Sequence, residues 1–191
     1  RLRCDWSSDV CSSDLKDAQS LGRLVRCCHG CYDAAKAYRT PFISGKDSLN
    51  NQFTTEDGET ICIPPTLLIS GFGIVHDIHT CITMDAKTPG NVLVLVGETK
   101  SAMGGSFALQ LEPEMDCDNT LAEVCLNSGP ANAAAVHQVI VSGLVCSAHD
   151  CSEGGVLLAA SEMAFSGNLG IAIELPTEIP FETMCFADTP S

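Results

Sequence analysis

Two short polar segments of the sequence contain residue types that bind phosphate groups and divalent cations. The first is SGKDSLNN, residues 44–51, which follows an apolar stretch. A Walker phosphate loop requires Gly-x-x-x-x-Gly-Lys followed by Ser or Thr, so that backbone amides surround the phosphates and the hydroxyl reaches magnesium. Here Thr40 occupies the place of the first glycine, and Asp47 follows the lysine. The segment is therefore not a Walker loop and needs another explanation.

The second segment is HDCSEGG, residues 149–155, at a predicted junction between a strand and a helix. Asp150 ends the predicted strand, where its carboxylate can bind a hard cation such as Mg²⁺ through oxygen. Ser152 and the two glycines begin the predicted helix, whose free amides and positive dipole end favour a phosphate. A purely structural alternative makes Ser152 an N-cap and Asp150 a favourable charge near the helix start. The residues alone leave both interpretations open.

Other groups of possible metal ligands are weaker candidates. The segment CCHGC, residues 27–31, contains one C-x-x-C pair. A structural zinc site needs four ligands, usually supplied as two such pairs, so a helix with Cys28 facing the core is the better interpretation. His76 and His79 flank Asp77 without helical spacing, and this group is interpreted as a solvated turn.

Composition limits the classes of function. The 191 residues include 10 Lys and Arg against 24 Asp and Glu, a net charge of −14, and 45% are hydrophobic. So acidic a surface repels nucleic acid phosphates, and we expect no nucleic acid partner. No uncharged run reaches the length of a membrane span, and the N-terminus does not resemble a signal peptide, so we expect a cytoplasmic protein without a membrane partner. In that compartment the 12 cysteines are predicted to be reduced, mostly as small core residues within apolar segments, as at Cys62, Cys81, Cys125 and Cys146.

The elements that must position the two segments follow from periodicity and turn residues. Apolar spacings of three and four predict helices, and runs of β-branched residues predict strands. A boundary between two unlike halves is expected near residues 86–91, where Pro and Gly cluster. The predicted helices are 17–38, a short one opened by Gly104-Gly105-Ser106, 133–141 and 152–165, and the predicted strands are 42–44, 66–75, 80–84, 92–97, 144–150 and 169–175. The strands 66–75 and 92–97 are expected to be buried. A loop over 45–51 and a turn at Asp57-Gly58 complete the prediction of a mixed α and β architecture.

The start of the chain differs in character from the rest. The segment CDWSSDVCSSDL, Cys4–Leu15, has no apolar periodicity and closely resembles one reading frame of a sequencing adapter. We interpret residues 1–15 as an adapter artefact and exclude them from the predicted fold. The last residues stop without a terminating element, so we expect a fragment that begins near Lys16 within a longer gene product.

Four segments together resemble one enzyme family. TPFISGKDSLNNQF, IPPTLLISGFGIV, LVGET followed by GGS, and AHDCSEGGVLLAASEMAFSGNLG occur in the order and approximate spacing of phosphoribosylformylglycinamidine synthases, also called FGAM synthetases. The resemblance covers about residues 17–191. It implies an α+β, aminoimidazole ribonucleotide synthetase-like fold that is incomplete. Residues 16–87 would be the end of an N-terminal subdomain and residues 88–191 the start of a C-terminal subdomain, both in the second of two tandem copies.

The resemblance also implies an ATP-dependent ligase with Mg²⁺ and ATP or ADP as cofactors. In this family ATP phosphorylates the amide oxygen of formylglycinamide ribonucleotide, and ammonia from glutamine then displaces the phosphate. The implied partners are that ribonucleotide and a glutaminase domain or subunit. The catalytic histidine belongs to the first copy, so no catalytic residue is expected in this fragment. The alternatives are a non-catalytic nucleotide-binding half of that enzyme and another ATP-binding enzyme of the same superfamily.

Site residues are carried over position by position. Gly45 matches a glycine beside the nucleotide, and Ser48 matches a serine that contacts the ribonucleotide. Lys46 stands where one branch of the family has a magnesium-ligating asparagine; an ammonium group cannot ligate a cation, but it can contact phosphate. Asp150 and Ser152 match the metal-binding and nucleotide-binding residues of an auxiliary site. An ion pair between Lys46 and its neighbouring aspartate, or two solvated charges, both remain open.

Overall fold

The computed structural model describes residues 4–12, 15, 17–175 and 178–188. It divides into two units, residues 1–76 and residues 77–191, which are described separately. The family resemblance and the Pro and Gly residues near residue 87 predict a subdomain boundary later in the chain, and that boundary stays a prediction. Among the described residues, no helix combines the length and apolarity that crossing a bilayer requires.

The first unit contains the long helix and most of the strands. Helix α1, Ala18–Tyr38, starts where the Asp17 carboxylate accepts a 2.8 Å hydrogen bond from the Ser20 amide, and it ends at Arg39 in the left-handed conformation. This confirms the predicted first helix. A three-stranded sheet has the order β2-β1-β5, and strands β3 and β4 form a separate hairpin. The strands are β1 Cys4–Cys11, β2 Phe42–Ser48, β3 Gln52–Thr54, β4 Thr60–Cys62 and β5 Thr66–Gly73.

Strand β1 lies in the centre of the three-stranded sheet. It pairs in parallel with β2 and antiparallel with β5, so its backbone is hydrogen-bonded on both sides. The Trp6 ring lies 5.9 Å from Tyr38 and 5.4 Å from Phe42, measured between ring centroids. The structure therefore differs from the expectation that residues 1–15 take no part in the fold. The serines and aspartates of this segment give it no apolar pattern from which a strand could be predicted. The strand forms because β2 and β5 pair with it. The adapter origin of these residues stays a prediction.

Strand β2 is longer than predicted and takes up much of the expected loop. The strand continues through Ser48 because β1 pairs with it up to the Cys11–Ser48 register. Gly45 and Lys46 are thus strand residues, so the prediction of a loop over residues 45–51 was wrong for the part that belongs to β2. The turn prediction was correct: Gly58 has φ +83° in the connection between β3 and β4.

Several predicted strands are exposed or do not form. β5 was predicted to be largely buried, yet all its residues are exposed. Within the described residues of 77–191 no strand longer than an isolated bridge forms, and one such bridge joins Thr83 to Ser147. Val92, in the apolar run that was predicted as a buried strand, is 85% exposed. Strand propensity reflects packing and pairing with neighbours, so an apolar run without a partner does not become a strand.

The described part of the second unit contains four α-helices, a short 3₁₀ helix at Ile78–Thr80 and irregular segments. The α-helices are α2 Phe107–Leu111, α3 Ser128–Val141, α4 Gly155–Gly167 and α5 Phe181–Phe186. α4 packs against α5, and the apolar side chains of these two helices supply most of the buried core of this unit. The predicted helices near 133–141 and 152–165 are confirmed as α3 and α4. The buried apolar residues are Met103, Ala159, Ala160, Met163, Met184, Cys185 and Ala187.

The cysteines are less buried than predicted. The eleven cysteines whose side chains the structure describes are free thiols, and Cys185 is the one among them that is buried. Cys62, Cys81, Cys125 and Cys146 were predicted as core residues because they lie in apolar segments, but Cys125 is half-buried and the other three are exposed. Cys28, which was predicted to face the core from the first helix, is exposed as well. The apolar segments that contain these cysteines do not form a core within either unit.

Cys125 is expected to react with iodoacetamide faster than Cys151 near pH 7. Hydrogen bonds, first from the side chain and backbone of Ser128, lower the pKa of the Cys125 thiol to about 7. Burial and the charge of Asp150 raise the pKa of Cys151. The thiolate is the nucleophile, so Cys125 should lose reactivity as the pH falls below about 7. Peptide mass spectrometry across about pH 5 to 9 would measure both rates, and equal rates throughout would contradict the expectation.

Candidate functional site

The SGKDSLNN segment presents its polar side chains along β2, an edge strand of the sheet. Side chains alternate between the two faces of a strand, so Lys46 and Ser48 share one face and Asp47 occupies the other. The Lys46 ammonium donates a hydrogen bond to the Ser48 hydroxyl. The structure thus pairs Lys46 with Ser48 and not with Asp47. A Cβ atom at Gly45 would lie 3.1 Å from the Ser8 hydroxyl, so the glycine accommodates the close neighbouring strand.

The HDCSEGG segment brings Asp150 and Ser152 together ahead of α4. The Ser152 hydroxyl donates to a carboxylate oxygen of Asp150, and the Asp150 side chain is 81% exposed. This hydrogen bond is the main reason that the pKa of Asp150 lies below its usual value, at which the carboxylate would already be ionised at neutral pH. Gly154, with φ +85°, is the N-cap of α4, which has no side-chain cap. The structural interpretation of Ser152 as N-cap was therefore wrong.

His149 and Glu162 belong to the same cluster, and the sequence did not indicate this. The Nδ1 atom of His149 lies 3.2 Å from an Asp150 oxygen, and its Nε2 atom lies 2.7 Å from a Glu162 oxygen. The imidazole is only 18% exposed. Glu162 lies on α4, and its carboxylate contacts the histidine because the HDCSEGG segment folds back against this helix. No spacing rule connects a histidine in a loop to a glutamate 13 residues later.

A third carboxylate reaches the glycine turn from the end of the chain. Asp188 accepts a 2.7 Å hydrogen bond from the Gly154 amide and a 3.1 Å hydrogen bond from the Phe107 amide. The Gly155 amide donates to the Ser152 carbonyl at 3.1 Å. Neither glycine amide is therefore free, in contrast to the expectation of a phosphate cradle made from them. Asp188 lies 34 residues after Gly154, so only the packing of α5 reveals this contact.

Close packing supplies a structural reason for the second glycine of the turn. Gly155 has φ +66°, and a Cβ atom there would lie 2.8 Å from the Cys185 carbonyl oxygen and 2.9 Å from the Phe186 carbonyl carbon. Backbone atoms cannot move aside as a flexible side chain can. The second glycine of HDCSEGG is thus required by the contact with the end of α5, whatever ligand the turn binds.

The cluster fits part of a magnesium site. Asp150 offers an ionised, exposed carboxylate, and the Ser152 hydroxyl lies beside it. Mg²⁺ is usually held by one or two carboxylates together with waters and substrate phosphates. No three or more His, Cys, Asp or Glu side chains among the described residues come together as a metal site. Asp150 can therefore act as one ligand, with the others supplied from elsewhere. The SGKDSLNN segment lies in the other unit.

Comparison with known proteins identifies relatives of this chain. A PurL subunit of phosphoribosylformylglycinamidine synthase from Zymomonas mobilis is 31% identical over 154 residues, covering 81% of this chain and 21% of the relative. The corresponding subunit from Rhodopseudomonas palustris is 34% identical over 158 residues, covering 83% of this chain and 21% of the relative. The chain thus spans about a fifth of these relatives' length.

Solved structures share the fold. Thermotoga maritima PurL complexed with FGAR superposes with a TM-score of 0.66 at 16% identity, covering 100% of this chain and 30% of that chain. The same protein complexed with ATP gives a TM-score of 0.56 at 17% identity, covering 98% of this chain and 28% of the other. The α+β fold class predicted from the sequence is confirmed, and the fold is partial relative to PurL. Because residues 88–189 match the family described as AIR synthase related protein, C-terminal domain, the chain belongs to that family.

Proposed function

We propose that this chain is part of a phosphoribosylformylglycinamidine synthase, a ligase that converts formylglycinamide ribonucleotide to its amidine with ATP and glutamine-derived ammonia in purine biosynthesis. The observation that carries the proposal is the pairing of an ionised, exposed Asp150 with the Ser152 hydroxyl at the start of α4. The curated relatives named as PurL support the ligase assignment. The related T. maritima structures described as complexes with ATP and with FGAR support the choice of ligands.

Each site residue has a role in this proposal. Asp150 binds Mg²⁺, and Ser152 contacts the nucleotide while holding Asp150 in place. When bound, magnesium neutralises phosphate charge and orients the nucleotide. Lys46, an exposed ammonium, contacts phosphate directly, and the Ser48 hydroxyl contacts the ribonucleotide. Gly45 has no side chain, so the backbone of β2 can lie close to the nucleotide at this position.

The rest of the reaction requires groups outside this chain. The proposed catalytic histidine and most contacts to the reacting ATP lie in a preceding copy of the same fold. A glutaminase domain or subunit supplies ammonia, and the complete enzyme works in the cytoplasm. We therefore expect the 191 residues to be inactive when isolated.

A second candidate is a non-catalytic nucleotide-binding half of the same enzyme. The observation that favours it is the small ligand set: Asp150 and Ser152 come together, while Asp188 uses the Gly154 amide. Such a site would retain ADP and magnesium as a structural element. A different ATP-binding enzyme of the superfamily is a further alternative, although the SGKDSLNN segment favours the FGAM synthetases.

One experiment separates these candidates. The complete protein would be purified without added nucleotide, and its bound nucleotide and magnesium would be quantified. It would then be assayed with ATP, formylglycinamide ribonucleotide and ammonium, which replaces the glutaminase. Turnover supports the ligase, and ADP that is retained without exchange during turnover supports a structural role for this half. Absence of turnover with the ribonucleotide would contradict the proposed activity.

Ser48→Ala in the complete protein is expected to raise the Michaelis constant for the ribonucleotide about fivefold, as loss of one hydrogen bond does. kcat should change little, because the hydroxyl is expected to contribute equally to ground-state and transition-state binding. The matched control is Ser70→Ala, which removes another exposed hydroxyl from a strand of the same sheet. A Michaelis constant that is equal in both variants would remove Ser48 from the substrate site.

A further inference from the structure

Asp188 connects two glycine turns that are far apart in the sequence. One carboxylate oxygen accepts the Gly154 amide at 2.7 Å, and the other accepts the Phe107 amide at 3.1 Å. Gly154 precedes α4, and Phe107 is the first residue of α2. Hydrogen bonds from amides to an ionised carboxylate are stronger than those between neutral groups. A carboxylate is also favourable at the start of a helix such as α4 because of the helix dipole.

Both turns have little freedom to move around this carboxylate. In the first turn, a Cβ atom at Gly104 would lie 2.6 Å from the backbone of Thr120, and Gly105 has φ +84°. In the second turn, Gly155 packs against the backbone just before Asp188. A contact between two tightly packed backbones transmits displacement, because neither side can relax independently.

A short series of hydrogen bonds leads from Asp188 to the proposed metal ligand. The Asp188 carboxylate holds the Gly154 amide, and Gly154 lies within the turn that the Gly155 amide closes onto the Ser152 carbonyl. The Ser152 hydroxyl then donates to Asp150. We propose that Asp188 is a positioning residue that fixes Asp150 and Ser152 for magnesium-nucleotide binding. This inference rests on the proposed function, since it concerns the same site.

The test uses the complete protein with Asp188→Ala and Asp188→Asn. Magnesium and ADP are the probe, and isothermal titration calorimetry measures the dissociation constant after bound nucleotide has been removed. For Asp188→Ala we expect a rise of about tenfold, the range found for residues that orient metal ligands. Asparagine keeps one acceptor for the Gly154 amide, so it should restore part of the affinity. Glu182→Gln, an exposed carboxylate on α5, is the matched control and should bind like the natural protein.

Hydrogen exchange separates positioning from general stability. In Asp188→Ala, exchange should accelerate at the Gly154 and Phe107 amides while the central α4 amides stay protected. A merely structural role would accelerate exchange throughout α4 and leave the dissociation constant of the folded protein unchanged. If Asp188→Ala does not fold, Asp188→Asn decides by the same two measurements.

The outcomes distinguish this inference from the proposed function. If the natural protein fails to bind magnesium and ADP, the proposed site is wrong and the inference is overturned with it. If the natural protein binds and Asp188→Ala binds equally well, only the inference is overturned. Tighter binding by Asp188→Ala would also overturn it, because the carboxylate would then compete with a phosphate for the Gly154 amide. Weaker binding with local exchange at the two amides supports the inference.

Discussion

Asp150→Asn is expected to weaken the retention of magnesium and nucleotide by the complete protein at least about tenfold. The variant keeps the size of the side chain and one oxygen, but it removes the negative charge that attracts the metal. An aspartate carboxylate is already ionised at neutral pH, and hydrogen bonds, first that from the Ser152 side chain, lower the pKa of Asp150 further. The exposed side chain leaves room for a metal ion and its waters.

Purification followed by quantification of bound ADP and magnesium measures this effect. Glu153→Gln is the matched control, because it removes an exposed charge from the same turn without touching the Asp150–Ser152 pair. The control should retain nucleotide like the natural protein. Equal retention by Asp150→Asn and the control would show that the carboxylate is not a metal ligand, and the structural interpretation of HDCSEGG would then be preferred.

Gly155→Ala is expected to destabilise α4 by about 3 kcal/mol, the combined cost of overpacking and of a positive φ. The added Cβ atom would meet the carbonyl oxygens of Cys185 and Ala187 at 2.8 and 3.0 Å. Relief requires α5 to move away from α4, and the Asp188 contacts would be lost with it. The free energy of opening, measured by hydrogen exchange of the α4 amides in the complete protein, reports this change without requiring two-state unfolding.

Gly143→Ala is the control that isolates the steric contribution. Gly143 also has φ +66°, but nothing lies within 4 Å of a Cβ atom built there. This variant should lose only the cost of the left-handed backbone, about 1 kcal/mol, measured at the α3 amides. If both substitutions cost the same, the contact between Gly155 and the end of α5 does not constrain the glycine turn.

The sequence predicted the helices well and the strands poorly, for a physical reason. Helix hydrogen bonds form within one segment, so the apolar spacing of α1 was sufficient to locate it. Strand hydrogen bonds need a second segment. The apolar run at residues 92–97 has strong strand propensity but no pairing partner among the residues that the structure describes. The polar segment Cys4–Cys11 has little propensity and yet lies between β2 and β5.

For the candidate site too, some features followed from the sequence and others only from the tertiary structure. The sequence by itself determined the residue types and the family: the HDCSEGG and SGKDSLNN segments, their order, and the α+β class that the comparisons confirm. Only the tertiary structure decided which groups meet. His149 lies between Asp150 and Glu162, and Asp188 takes the Gly154 amide, because α4 and α5 fold against the glycine turn. Such contacts join residues 13 and 34 positions apart, and no local pattern in the chain records the distance between them.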